Sequence, residues 1–223
     1  MKKVDAVIFD MDGVLIDSER ISLKCYQEVL KDYQYEMDEK IYVKFIGRNV
    51  EGIKEALQEE FGKDFPFDEI YKKKSKLALE FTDKNGVKIK PGVHELLDYL
   101  NNENYKIAVA TSTRRQRAIE LLERAKIKGK VNYIVCGDQV ENSKPDPEIF
   151  LRAAEGLNVK PNNCLVVEDS DAGITAAHAA SMAGVHVPDM KILDDKTKKL
   201  AFKICKELVD VKSVLEEIKE NWI

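Results

Sequence analysis

An α/β fold, a doubly wound parallel sheet carrying an inserted all-α segment, is predicted by two patterns in the sequence. Short β-branched runs alternate with stretches of helical period, as in βαβ units. One long stretch near the start contains no strand pattern at all. The first run, residues 4–9, has the length of a buried strand. Residues 16–87 then read as helical throughout. In 18–33 the residues Ser22, Cys25, Tyr26, Val29, Leu30 and Tyr33 share one face, and further helices are predicted over 41–45, 50–61 and 67–81, with Gly47, Gly62 and Pro66 as breaks. The alternation resumes at Lys90-Pro91-Gly92, with helices over 93–100, 118–125, 147–157 and 172–183. Strands are predicted over 107–110, 133–136, 164–167 and 185–187, and residues 215–222 close the chain as a helix. The expected organisation is a core from 1–15 and 88–223, with 16–87 as a small helical domain set into it.

Composition narrows the function classes. The 223 residues carry 36 basic and 40 acidic side chains, a net charge of −4, so no basic field invites nucleic acid. Cys25, Cys136, Cys164 and Cys205 are dispersed without a CxxC pair. That gives neither a zinc site nor a disulfide framework and fits a reducing, cytoplasmic setting. His94, His178 and His186 are too few for a histidine metal cluster, and His94 and His178 fall in helices away from any strand end. No apolar run is long enough for a signal peptide or a membrane span, so no membrane partner is expected. The KKKSK run at 72–76 is read as a solvated helix face.

In a parallel sheet, ligands sit at the carboxyl ends of strands, so the polar residues after each apolar run carry the information. The first run ends in Asp10-Met11-Asp12-Gly13. Two carboxylates at the end of a buried strand are costly without a cation nearby, and oxygen donors of this kind suit Mg²⁺. The plainer alternative is a turn that uses Asp and Gly for its backbone. An EF-hand is excluded, because its later acidic positions are missing.

The run Asp10-Met11-Asp12-Gly13-Val14-Leu15-Ile16-Asp17-Ser18 resembles the nucleophile loop of the haloacid dehalogenase superfamily of phosphatases and phosphomutases. Three further stations match that family in order and spacing: Ala110-Thr111-Ser112-Thr113, Ser143-Lys144-Pro145-Asp146-Pro147, and Glu168-Asp169-Ser170-Asp171-Ala172-Gly173-Ile174. The resemblance spans the whole chain and implies a Rossmann-like core with an α-helical cap. It implies Asp10 as nucleophile, forming an aspartyl-phosphate, and Asp12 as general acid/base, with its backbone carbonyl a metal ligand. Thr111 and the Ser112 N–H are expected to donate to the phosphoryl oxygens, although a helix cap explains Thr111 equally. Lys144 supplies positive charge during phosphoryl transfer; the alternative is an ordinary helix start built on SKPDP. Asp169 is expected to be a steadier Mg²⁺ ligand than Glu168, with Ser170 and Asp171 behind them or simply capping the next helix. Arg114, Arg115 and Arg117 are read as a solvated first helical turn.

The helical insert matches the family's cap in place and character, and it brings Gly47 and Arg48 forward as substrate-binding candidates. In the β-phosphoglucomutases of the family a His stands where this chain has Ser22, and a phosphate-holding Arg stands where it has Val50. Those departures favour a phosphatase of a small phosphate ester, a sugar phosphate or similar metabolite. The alternative is a phosphomutase in which Arg48 or Lys76 replaces the missing clamp. A dehalogenase would not need the metal carboxylates, and a non-catalytic binding module would not need both Asp10 and Asp12. The expected cofactor is Mg²⁺, the expected partner is the small-molecule ester, and the expected state is a monomer or weak homo-oligomer.

Overall fold

The computed structural model describes residues 3–46, 48 and 50–220. Six strands, β1 (Ala6–Phe9), β2 (Lys106–Thr111), β3 (Tyr133–Cys136), β4 (Cys164–Glu168), β5 (Ala183–His186) and β6 (Lys203–Ile204), form one sheet in the order β3-β2-β1-β4-β5-β6. Every pairing is parallel, with Phe9 in register with Val109 on one side and Val167 on the other. β6 was not legible in the sequence. It is two residues long and exposed, so it lacks the apolar run that marks a buried strand.

Side chains alternate along each strand between two covered faces. Val7, Phe9, Ile107, Val109, Leu165 and Val167 join one apolar cluster, and Ala6, Ile8, Ala108, Ala110, Cys164 and Val166 join the other. Each fully buried Val or Phe here stabilises the sheet by roughly 2 kcal/mol. Since β1 pairs with both β2 and β4, the chain reverses its direction of sheet growth at the β1–β4 junction. A crevice opens at the carboxyl ends at such a junction, because the following loops diverge to opposite faces.

Between β1 and β2 lie α1 (Glu19–Leu30), α2 (Glu39–Tyr42), α3 (Val50–Phe61), α4 (Phe67–Asn85) and α5 (Val93–Asn102). The first four build their own apolar cluster around Tyr26, Leu30, Tyr42, Phe45, Leu57 and Ile70. Tyr42 and Phe45 meet edge to face at 4.9 Å. α1 ends earlier than its periodicity suggests, passing into a 3₁₀ turn over Lys31–Tyr33 closed by Gln34 in the left-handed region. α2 starts at Glu39 because the Asp38 carboxylate accepts from the Ile41 N–H at 2.8 Å. α4 continues to Asn85, where Gly86, at φ +79°, ends it. The two segments linking this block to the sheet are laced together: the Asp17 N–H donates to the Lys88 carbonyl at 2.9 Å and the Lys90 N–H to that of Leu15 at 3.0 Å.

α5, α6 (Arg115–Arg124) and α10 (Asp210–Glu220) pack into the first apolar cluster; α7 (Glu148–Leu157) and α8 (Asp171–Ala179) pack into the second. α9 (Asp195–Lys198) is a single turn capped by Asp194. The closing helix begins at Asp210, five residues before the expected start, and Trp222 lies outside the described residues. No helix among the described residues is long and apolar enough to cross a membrane.

Candidate active site

β1 delivers Asp10 to the carboxyl end of the sheet, where its N–H donates to the Val167 carbonyl at 3.0 Å. The chain then turns sharply: Leu15 and Ile16 both donate to the Met11 carbonyl at 2.9 Å, and Gly13 takes φ +81°. A Cβ on Gly13 would lie 2.2 Å from Oδ2 of Asp169, so only glycine lets the β1 and β4 loops approach this closely. β4 ends in Glu168, with Asp169 following. Lys144 comes from the loop before α7. That loop is held by Glu148, whose carboxylate accepts from the N–H groups of Glu141 and Asn142 at 3.0 and 2.8 Å.

These pieces converge. The Lys144 ammonium bonds Asp10 and, at 2.7 Å, Oε1 of Glu168. Oε2 of Glu168 accepts from the N–H and hydroxyl of Ser170 at 2.8 and 2.9 Å. Both Glu168 oxygens are thus occupied within the protein. Asp169 differs: its Oδ2 is buried and has no hydrogen-bond partner among the described residues. Ligand oxygens of Asp10, Glu168 and Asp169 lie within 4.8 Å of one another. Such a buried, oxygen-only donor set with one orphaned carboxylate oxygen fits a hard divalent cation.

The electrostatics follow from burial. Desolvation, with Glu168 and Asp12 adding to it, pushes Asp10 up to about 8 against the pull of Lys144. Asp169 is raised well above the usual carboxylate range by burial and by the Glu168 and Asp10 charges. Burial alone would lower Lys144, but Asp10 and Glu168 hold its ammonium above the ordinary value.

Asp12 stands apart from the carboxylate cluster. Ser18 donates to its Oδ1 at 2.7 Å, Thr113 to its Oδ2 at 2.8 Å, and Thr111 more distantly at 3.4 Å. Thr111 is fully buried at the end of β2, and its hydroxyl also accepts from the Thr113 N–H at 3.0 Å. Ser18 and Thr113 were visible in the sequence motifs, but their joint grip on Asp12 was not, since Thr113 reaches it from a loop about a hundred residues away.

A cavity of about 1010 Å³ lies between this cluster and the helical block, lined by Asp10, Asp12, Ser112, Lys144, Glu168 and Asp169 at the sheet end. Arg48 and Val50 line it from the helical side, both exposed; Gly47 lies outside the described residues. Two readings of the sequence need correction. Arg114 and Arg117 are not merely solvated: both line the cavity, whereas Arg115 turns away to Gln139 at 3.2 Å. The KKKSK run is not a uniform solvent face either. Lys74 lines the cavity, while Lys76 is exposed and faces Glu80 at 3.8 Å. Glu19, Tyr42 and Lys74 form a polar group in the cavity wall that no sequence motif marked. His94 and His178 are absent from its lining.

Comparison with known proteins agrees with this geometry. The model for haloacid dehalogenase-like hydrolases matches residues 7–187. A protein of Thermotoga maritima named phosphorylated carbohydrates phosphatase is 33% identical over 221 residues, covering 97% of this chain and 99% of its own length. A probable pseudouridine-5'-phosphatase of Drosophila melanogaster is 32% identical, covering 95% and 93%. Among solved structures, a β-phosphoglucomutase from Clostridium difficile superposes with a TM-score of 0.79 at 27% identity, covering 98% of both chains. With a carboxylate-lined crevice at the β1–β4 junction and relatives matched end to end, the chain belongs to the haloacid dehalogenase-like hydrolase family of enzymes.

Proposed function

We propose that the enzyme is a Mg²⁺-dependent phosphatase of a small phosphate monoester, a phosphorylated carbohydrate or similar metabolite, working through an aspartyl-phosphate on Asp10. The observation that carries this reading is the Lys144 ammonium bridging Asp10 and Glu168 beside the unpartnered oxygen of Asp169. Asp10 attacks phosphorus as a carboxylate nucleophile. Asp12 protonates the leaving alcohol and then takes a proton from the attacking water. The Thr111 hydroxyl and Ser112 N–H donate to the transferring oxygens, and Lys144 offsets the charge that builds on them. Asp10, Asp169 and the Asp12 carbonyl would hold Mg²⁺, with Glu168 joining or orienting from behind. The bound ion supplies charge neutralisation for phosphate next to carboxylates.

Residues 16–87 act as a cap and 1–15 with 88–223 as the core in this reading. The separate apolar cluster of the helical block and the paired linkers around Ile16 and Ile89 support it. Closure of such a cap excludes bulk water and brings the helical residues, Gly47 and Arg48 among them, to the leaving group.

Phosphomutase activity is the second reading, favoured by the likeness to a β-phosphoglucomutase. Ser22 and Val50, in place of the His and Arg expected of that activity, weigh against it. Rapid-quench kinetics without added sugar separate the two. A phosphatase discharges its phosphoenzyme to water quickly, and Asp12→Asn, with a nitrophenyl ester, makes it accumulate. A wild-type phosphoenzyme that persists for many seconds and then passes its phosphoryl to a hexose monophosphate identifies a mutase.

A further inference from the structure

The chain between β3 and α7 grips both of the loops that face the phosphoryl site. Gly137–Gln139 form a 3₁₀ turn directly after β3. There the Asp138 carboxylate accepts from the Arg115 N–H at 2.9 Å, reaching back 23 residues along the chain. Arg114, which precedes α6, makes no side-chain cap bond among the described residues, so Asp138 caps that helix from outside it. The Gly137 N–H donates to the Thr113 carbonyl at 3.1 Å, and a Cβ on Gly137 would lie 2.2 Å from the Ser112 carbonyl oxygen. The other end of this stretch is Glu141 and Asn142, whose N–H groups donate to Oε2 of Glu148 at 3.0 and 2.8 Å. Arg152 holds Oε1 of that carboxylate at 2.8 Å, and the Glu148 N–H donates to Asp146 at 2.9 Å. Val140, between the two ends, packs against the apolar cluster that α7 joins. Ser112, Gly137, Asp138 and Lys144 all line the cavity.

We propose that Asp138 and Glu148 are positioning residues for phosphoryl transfer. They hold the two ends of the segment 137–142, and that segment fixes the Ser112 N–H and the backbone of the Lys144 loop relative to each other. This rests on the phosphatase reading, in which those two groups touch the transferring oxygens. A planar peptide cannot re-aim its N–H alone, so the direction of that donor is set by its loop. A lysine ammonium stands on a flexible four-carbon stem, so its reach depends on where its backbone is held. In the free chain Lys144 is drawn to Asp10 and Glu168. Once a phosphoryl group competes for the ammonium, those ion pairs alone no longer fix it. The clamp at Glu148 then keeps it in range, and the shared segment keeps it in step with Ser112. A brace of this kind fails when either end is released. Two independent contacts behave differently, because their losses add in free energy.

The test measures kcat/KM for p-nitrophenyl phosphate with Mg²⁺, together with the competitive inhibition constant of inorganic phosphate. The variants are Asp138→Ala, Glu148→Ala, the two combined, Asp138→Asn and Glu148→Gln. A smaller folded fraction lowers apparent turnover but leaves the inhibition constant unchanged, so phosphate reports positioning rather than stability. Each alanine variant is expected to raise that constant, and to lower kcat/KM, by about tenfold. The combined variant should lose no more than about twofold beyond the weaker single variant. Asn and Gln keep an acceptor oxygen for the N–H groups and should stay within about threefold of wild type. An unchanged phosphate constant in the alanine variants, losses that multiply to about a hundredfold in the pair, or no rescue by Asn and Gln would overturn the proposal. If an alanine variant does not fold, Asp138→Glu or Glu148→Asp keeps the charge, misplaces the acceptor and should give the same tenfold rise. A wild-type enzyme that cleaves no phosphate ester overturns the phosphatase reading and this inference with it. One that cleaves p-nitrophenyl phosphate, with the alanine variants unchanged, overturns this inference alone.

Discussion

The Thr113 hydroxyl donates to Oδ2 of Asp12 at 2.8 Å, tying the loop after β2 to the loop after β1. Ser18 holds the other oxygen at 2.7 Å. A carboxylate gripped on both oxygens has a fixed direction, which a proton donor to a leaving group requires. Removing both hydroxyls, in Ser18→Ala with Thr113→Val, is expected to slow cleavage of an alkyl phosphate about tenfold or more. A nitrophenyl ester, whose leaving group departs without a proton, should lose less. An equal loss for both esters would remove Asp12 positioning as the cause.

The buried carboxylates make a prediction about pH. Asp10 titrates near 8 in the folded chain and about 3.9 when unfolded. Its stabilising contribution is therefore complete below about pH 4 and is lost as pH rises through about 8. Asp169, raised by burial as well, acts in the same direction. Chelated protein should lose thermal stability from pH 5 to pH 9. Mg²⁺ should restore most at the alkaline end, because its binding must displace those protons. Thermal denaturation with and without Mg²⁺ at pH 5 and pH 9 checks this, and equal Mg²⁺ shifts at the two values would contradict it.

Gly13→Ala tests the approach of the two carboxylate loops. The new methyl would stand 2.2 Å from Asp169 Oδ2 on a backbone at φ +81°. The left-handed conformation alone costs roughly 1–2 kcal/mol. Displacement of Asp169 is expected to weaken Mg²⁺ binding about 10- to 100-fold. Calorimetric Mg²⁺ titration of the folded variant provides the measurement; an unchanged affinity would show that Asp169 does not hold the ion.

Asp189, in the loop after β5, ties the helical block to the sheet. Its fully buried side chain pairs with Arg20 of α1 and with Lys90 of the second linker at 2.6 Å. Asp189→Ala is expected to cost about 2 kcal/mol. It should also speed proteolysis between residues 84 and 90, where α4 ends at Asn85 and Gly86 caps it. Unchanged cleavage there would show that the tether does not restrain the block.

The sheet and the four motif loops were legible because their physics is local. Strands buried on both faces show as apolar runs, and carboxylates at strand ends stand out against them. Asp10, Asp12, Glu168 and Asp169 stand out this way, Thr111 and Lys144 follow from the resemblance of their motifs, and the fold brings all six to one crevice. β6 escaped because a two-residue exposed edge leaves no such trace.

Local pattern sufficed for the α/β class and the strands from β1 to β5, and four short motifs in order along the chain sufficed for the family. How the helical block meets the crevice depends on tertiary packing. Lys74 and Lys76 lie two positions apart on α4, about 200° around a helix, so one reaches the cavity and the other reaches solvent. A run of lysines carries no apolar stripe from which to set that phase; packing of α4 against α1 sets it. The same packing brings Glu19 near Lys74, and the folding of distant loops places Thr113 on Asp12. These contacts depend on distance in space, which local sequence pattern does not encode.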